Sequence, residues 1–196
     1  MENGQLLLRE YNEIPMFTVE EVTRNKYGNL VLPNILLQRA NSKNKNGRIY
    51  TKDILARELE RYQKFIQERS AMGELDHVDQ TIVSLQKTSH LITEAHWDGD
   101  DIRGTVEVLA GTEQGKNLEA LVNSRVKIGI SSRGVGSVQE INNNTIVQPD
   151  FTLICWDVVS DPSTHGAYLL EGTKIGARLP DKDEMLRRVV KEYFNK

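Results

Sequence analysis

Apolar residues recur along the chain with two different periods, and the division between them predicts the architecture. Ile54, Leu55, Leu59, Tyr62, Phe65 and Ile66 return at three- and four-residue intervals after Thr51, with Lys, Arg and Glu between them. That spacing predicts an amphipathic helix of about five turns, capped at its start by Thr51. Met185, Leu186, Val189, Val190, Tyr193 and Phe194 repeat the pattern from Asp181 onward. They predict a second helix, and Glu113 to Asn123 reads as a shorter one. Elsewhere the pattern is that of strands. Ile35 to Ala40 leads into the loop Asn41 to Gly47. His90 to Trp97 and Ile102 to Leu109 flank Asp98-Gly99-Asp100-Asp101, a hairpin signal because Asp-Gly accepts the positive φ of tight turns. Val126 to Ser131 and Val135 to Glu140 surround a glycine-containing bend, and Thr145 to Val147 and Phe151 to Val159 follow the turn Asn142-Asn143-Asn144. Strands and helices do not alternate regularly, so the expected class is α+β with a mainly antiparallel sheet.

Length and charge narrow the function classes. A chain of 196 residues can bury roughly 70% of its unfolded surface in one domain. With 25 Lys+Arg against 28 Asp+Glu, the net charge of -3 excludes a protein that lives by wrapping nucleic acid. The basic stretch Lys43-Asn44-Lys45-Asn46-Gly47-Arg48 reads as a solvated loop, and no specific nucleic-acid partner is expected. The single cysteine, Cys155, excludes an internal disulfide framework and a cysteine-built zinc site. Met1-Glu2-Asn3-Gly4 is neither basic nor apolar, which predicts no secretory signal. Apolar stretches such as Phe151 to Trp156 fall short of the roughly 20 residues that span a bilayer. A soluble protein of a reducing compartment, without a membrane partner, is the expectation.

Four histidines are available for chemistry: His77, His90, His96 and His165. His90 and His96 lie an even number of residues apart on one predicted strand, hence on one face. His165 sits in the loop Asp161-Pro162-Ser163-Thr164-His165-Gly166, and His77 ends Met72-Gly73-Glu74-Leu75-Asp76-His77 just after the long helix. A lone histidine is ordinarily a hydrogen-bonded structural residue, so a catalytic role needs a partner. Gly129-Ile130-Ser131-Ser132-Arg133-Gly134-Val135-Gly136 offers one, presenting hydroxyls among small residues. Serine attacks only when a base in reach removes its proton, and an acid usually orients that base. Asp157, inside Leu153-Ile154-Cys155-Trp156-Asp157-Val158-Val159, either pairs within the core or points to solvent from a half-exposed strand; the residues alone leave both open. A metal site built from Asp76, His77, Asp79, His90, His96 and the acids Asp98, Asp100 and Asp101 is the rival chemistry. No His-x-x-x-His helix supports it, and the hairpin explains the acid cluster. Cys155, in an apolar strand, reads as a small buried hydrophobe. No metal or cofactor is expected.

Four motifs in order change the picture: Asn46-Gly47-Arg48-Ile49-Tyr50, Gly73-Glu74-Leu75-Asp76-His77, Gly129-Ile130-Ser131-Ser132-Arg133-Gly134, and Trp156-Asp157-Val158-Val159-Ser160-Asp161-Pro162-Ser163. Together, over about 35–162, they resemble the prohead core protein proteases of myovirus-type tailed phages, relatives of the herpesvirus assemblins. The resemblance implies a herpesvirus-protease-like fold, a mainly antiparallel β-barrel core with surrounding helices. It implies His77 as general base, Ser131 as nucleophile with Ser132 the runner-up, and Asp157 as the third triad member. Val78 stands where the family motif often has proline, a departure in the loop that leaves the base in place. By the same resemblance the chain is a serine endopeptidase of the immature capsid interior, in the host cytoplasm. Its substrates are scaffold or core proteins, the major capsid protein and itself, cleaved after Leu/Ile-x-Glu. Four stretches fit that pattern: Leu8-Arg9-Glu10, Ile66-Gln67-Glu68, Ile92-Thr93-Glu94 and Leu169-Leu170-Glu171. The expected organisation is a protease domain over 1–171 and a helical tail over 172–196, released by self-cleavage after Glu171. Arg133 either reads the substrate glutamate or sits in a structural salt bridge. A homo-oligomer is compatible with this reading, and a catalytically silent capsid or tail-tube-like relative is the alternative to it.

Overall fold

The computed structural model describes residues 6–12, 22–76 and 80–160. His77, His165, Glu171 and the helix expected from Asp181 lie outside them. In chain order the elements are β1 (Leu6–Asn12), β2 (Thr23–Arg24), β3 (Leu30–Arg39), β4 (Arg48–Ile49), α1 (Lys52–Gln67), β5 (Met72–Glu74), β6 (Thr88–Asp98), β7 (Asp101–Val108), α2 (Glu113–Asn123), β8 (Gly129–Gly136), β9 (Val138–Ile141), β10 (Asn144–Val147) and β11 (Thr152–Val159). The architecture is mixed and mostly strand, with two helices among the described residues.

Three ladders form: β2-β3-β7-β6-β5, β1-β8-β11 and the small β4-β10-β9. Pairing is antiparallel throughout except for β4 with β10. The expected closed barrel is not formed by hydrogen-bonded ladders among these residues. The two larger sheets are instead joined by a single parallel bridge, Leu75 to Val158.

Helix α1 follows its pattern closely. Ile54, Leu55, Leu59 and Tyr62 are buried, with Phe65 and Ile66 partly so. Thr51 occupies the N-cap position in an extended backbone, but its side chain makes no capping hydrogen bond. Asp53 in the first turn and Lys64 in the last complement the helix dipole. One polar residue on the buried stripe has a purpose: Glu58 Oε2 accepts from Leu153 N at 2.7 Å and pairs with Arg61 at 2.9 Å. It thereby fastens α1 to β11. Tyr62 meets Trp156 edge-on at 4.7 Å, placing the aromatic core between helix and sheet. Helix α2 spans its expected residues and is capped by Thr112, whose hydroxyl accepts from Gly115 N at 2.9 Å.

Both expected turns are present. Gly99 takes φ +62° in the β6–β7 hairpin, and Asn142 and Asn143 take φ 50° and 61° between β9 and β10. Two strand expectations change. Gly129 to Gly136 is one continuous strand, not a bend between two. In β6 a bulge at Thr93 sets Ile92 and Glu94 against consecutive residues Val106 and Thr105. The extra residue reverses the alternation, so His90 is buried and His96 exposed rather than sharing a face. Of the Leu/Ile-x-Glu stretches, Glu68 follows α1, Glu94 lies in β6, and Glu10 lies within β1, which is paired along its length to β8.

Candidate active site

The polar strand β8 is the centre of the site. Ser131 stands directly opposite Asp157 on β11, and Ser132 opposite Trp156. Alternation then places Ser131, Arg133, Cys155 and Asp157 on one face of the pair, with Ser132 on the other. Ser131, Arg133 and Asp157 are each 0% exposed.

Burying an arginine and two acids is tolerable only if they satisfy one another, and they do. Arg133 Nε lies 2.9 Å from Asp157 Oδ2, and its Nη2 lies 2.9 Å from Glu74 Oε2. The same Nη2 donates to Asp157 Oδ1 at 3.2 Å, and Nη1 donates to Gln80 O at 3.0 Å. Glu74 N also donates to Asp157 Oδ1, at 3.0 Å, and Ser84 N donates to Glu74 Oε1. The guanidinium therefore bridges β5, β8, β11 and the segment after β5. Burial works against the charge on Arg133, but Cys155, Asp157 and Glu74 outweigh it and raise its pKa. Of the two roles open to Arg133, the structure assigns the salt bridge.

Asp157 is thus a buried, paired acid and not a solvent-facing one. Cys155 Sγ donates to its Oδ1 at 3.2 Å. Burial, with the Asp157 charge adding to it, pushes the Cys155 thiol well above its ordinary range against the opposing Arg133. A thiol so protonated is a poor nucleophile.

The chain approaches the site again at the end of β5. Asp76 N donates to Val158 O at 2.8 Å, one residue beyond Asp157. Asp76 is exposed and takes φ 67°, in the left-handed region. His77 itself lies outside the described residues.

His90 is engaged elsewhere. Its Nδ1 lies 2.8 Å from Ser89 Oγ and its Nε2 lies 3.0 Å from Trp156 O. A carbonyl only accepts, so Nε2 carries the hydrogen and Nδ1 receives the serine's. Burial lowers the His90 pKa to about 4 against the pull of Asp157, keeping the ring neutral. The ring lies over Gly73, where a Cβ would come within 2.3 Å of His90 Nε2 and 2.2 Å of Trp156 O. Gly73→Ala is accordingly expected to lose about 2–3 kcal/mol of stability, since β5 must back away from β11. Urea unfolding of the two proteins measures it.

Of the residues in the rival metal set, His77 and Asp79 lie outside the described residues. Asp98, Asp100 and Asp101 pair with Arg103, Lys52 and Arg39. Among the described residues no cluster of three or more His, Cys, Asp or Glu could hold a metal ion. A cavity of about 350 Å³ between the start of α1 and the β9–β10 hairpin, lined by Thr51, Arg57 and Ile146 among others, contains none of the site residues.

Sequence reasoning missed the part played by Glu74. Its signal was present, an acid next to the glycine of the Gly-Glu-Leu-Asp-His motif, but nothing in spacing says that Glu74 turns inward to share an arginine with Asp157.

Among the described residues, β8 thus carries two buried serines, one of them directly opposite the buried acid Asp157. The chain belongs to the prohead core protein serine protease family, whose model matches residues 12–175. It is 31% identical over 138 residues to the prohead core protein protease of Enterobacteria phage T4, which covers 68% of this chain and 65% of that protein. The match therefore spans just under two thirds of that relative's length. Its fold is that of the solved bacteriophage T4 capsid assembly protease, at a TM-score of 0.74 and 26% identity, over 82% of this chain and 100% of that one.

Proposed function

We propose that the chain is a serine endopeptidase of phage capsid maturation, with Ser131 as nucleophile, His77 as general base and Asp157 as the acid that supports it. The observation that carries this is the cross-strand pairing of Ser131 with Asp157, next to the bond from Asp76 N to Val158 O. The same register favours Ser131 over Ser132, which shares the opposite face with Trp156.

The reaction is acyl transfer. His77 accepts the Ser131 hydroxyl proton as Oγ attacks the carbonyl carbon that follows a substrate glutamate. The C–N bond breaks, the amine leaves with the proton from the imidazolium, and water then hydrolyses the acyl-enzyme to free the carboxylate. Substrates are scaffold and capsid proteins inside the prohead, cut after Leu/Ile-x-Glu. The protease domain is 1–171, and cleavage after Glu171 releases 172–196. A kinship with the herpesvirus assemblins and their barrel belongs to the same proposal. It rests on the motifs and on the bridge that brings β5 to β11.

Intact mass of the purified protein over time, beside Ser131→Ala, tests the reading. Wild type is expected to lose mass at bonds following Leu/Ile-x-Glu while the variant stays whole. Equal trimming of both removes Ser131 from the mechanism. The complete burial of Ser131 favours one second reading, a catalytically silent relative, for which both proteins stay whole and neither cleaves a glutamyl peptide.

A further inference from the structure

The face of the β8–β11 pair turned away from Ser131 carries polar atoms that no group among the described residues answers. Ser132 stands directly opposite Trp156 across the ladder, which sets their Cβ atoms about 5 Å apart on one face. The Tyr62 ring of α1 meets the Trp156 ring edge-on, with centroids 4.7 Å apart. These three side chains are therefore neighbours in one layer of the core. Tyr62 and Ser132 are each 1% exposed and Trp156 0%. Yet Ser132 Oγ, Tyr62 Oη and Trp156 Nε1 have no hydrogen-bond partner among the described residues. Gln38 repeats the situation on β3, which lies against β8: it is buried, and neither its Oε1 nor its Nε2 has a partner there. Buried hydroxyl and N–H groups are almost always paired, with protein or with ordered water. Three orphans on adjacent side chains point to one common partner.

We infer that Ser132, Tyr62 and Trp156 together hold one internal water molecule between β8, β11 and α1. The chemistry of the three groups selects this ligand. An indole N–H only donates, whereas each hydroxyl can donate and accept. Burial pushes the Tyr62 phenol well above its ordinary range, so it stays an O–H. A molecule with two lone pairs and two hydrogens answers all three at once. It accepts from Trp156 Nε1 and from one hydroxyl, and it donates to the other. The Trp156 N–H turns a cation away. An anion would be buried without a counter-charge, since Arg133 lies on the opposite face and is engaged by Asp157 and Glu74. A buried water makes about three hydrogen bonds, the number of atoms offered here. Ser132 thereby has a task separate from that of Ser131 and independent of the protease reading. It ties the back of β8, through the water, to β11 and α1.

Thermal unfolding of the full chain, of Ser132→Ala, of Tyr62→Phe and of the double variant tests this, beside a crystal structure of the wild type that resolves ordered waters. Each substitution deletes a single oxygen and leaves the rest of the side chain in place. If both oxygens are ligands of a shared water, each single variant is expected to lower Tm by about 2–5 °C. The double variant should lose clearly less than the two losses added, because the first deletion has already loosened the water. The map is expected to show one water about 2.7–3.2 Å from Ser132 Oγ, Tyr62 Oη and Trp156 Nε1. Hydroxyls that face only apolar atoms give the opposite sign, since deleting a buried unpaired group relieves its desolvation. A raised or unchanged Tm in either single variant therefore overturns the inference. Additive losses, or a map in which the three atoms face protein alone, overturn it equally. Should a variant fail to fold, the map decides alone.

Discussion

Arg133→Met is expected to cost about 3–5 kcal/mol of folding stability, the largest effect of any substitution near the site. The reason is what it leaves behind. Glu74 and Asp157 are both 0% exposed, and Arg133 is the cation that answers them. Removing it strands two carboxylates in a space that water does not reach, which is more costly than losing the attraction itself. Arg133→Lys should recover only part of the loss, because one ammonium cannot reproduce the fork that touches Asp157 through Nε and Glu74 through Nη2. Urea unfolding curves measure the difference. The control is the neutral set Glu74→Gln, Arg133→Met and Asp157→Asn combined, which should be far more stable than Arg133→Met alone. If the single substitution costs no more than a surface change, the ion cluster is not holding β5, β8 and β11 together.

Acid should weaken the fold through His90. Its pKa falls from 6.5 to about 4 on folding because burial disfavours the charged ring. Between those values the unfolded chain binds a proton that the folded chain does not. Stability therefore falls as the pH drops from 6.5 to about 4 and levels off below, a total of about 3 kcal/mol from this one group. His90→Gln removes the titration. The stability of wild type should decline more steeply than that of the variant across this window, and parallel declines would mean that other groups carry the acid sensitivity. Comparing the two slopes separates His90 from the carboxylates that titrate over the same range.

How much of this could be read from residues alone depends on the kind of order involved. Helix α1 was legible because its apolar stripe is periodic, and the hairpins were legible because Asp-Gly and Asn-Asn tolerate positive φ. Strand β8 was not. A strand buried on both faces is expected to be apolar. Gly129-Ile130-Ser131-Ser132-Arg133-Gly134-Val135-Gly136 is buried but mostly small or polar, so it reads as a bend. Its burial is balanced by ion pairs whose partners lie 59 and 24 residues away, at Glu74 and Asp157. The bulge at Thr93 was equally hidden, since one unpaired residue leaves no mark in composition yet reverses which side every later residue faces. Ser131 and Asp157 were singled out by motif, whereas their direct pairing across the ladder is a matter of register, which two intervening turns and a register shift between Leu153 and Cys155 leave unspecified in the sequence.

The bridge from Leu75 to Val158 has one more implication. Around it lie the bonds from Glu74 N to Asp157 and from Asp76 N to Val158, and the contact of His90 with Trp156. Among the described residues, the hydrogen-bonded continuity between the two large sheets therefore runs through the same few atoms that surround the candidate site. A lesion at this junction also unfastens the two sheets. Tolerance to insertion should accordingly gather at the distant hairpin tips, while the residues about the junction admit only replacements that preserve both shape and charge.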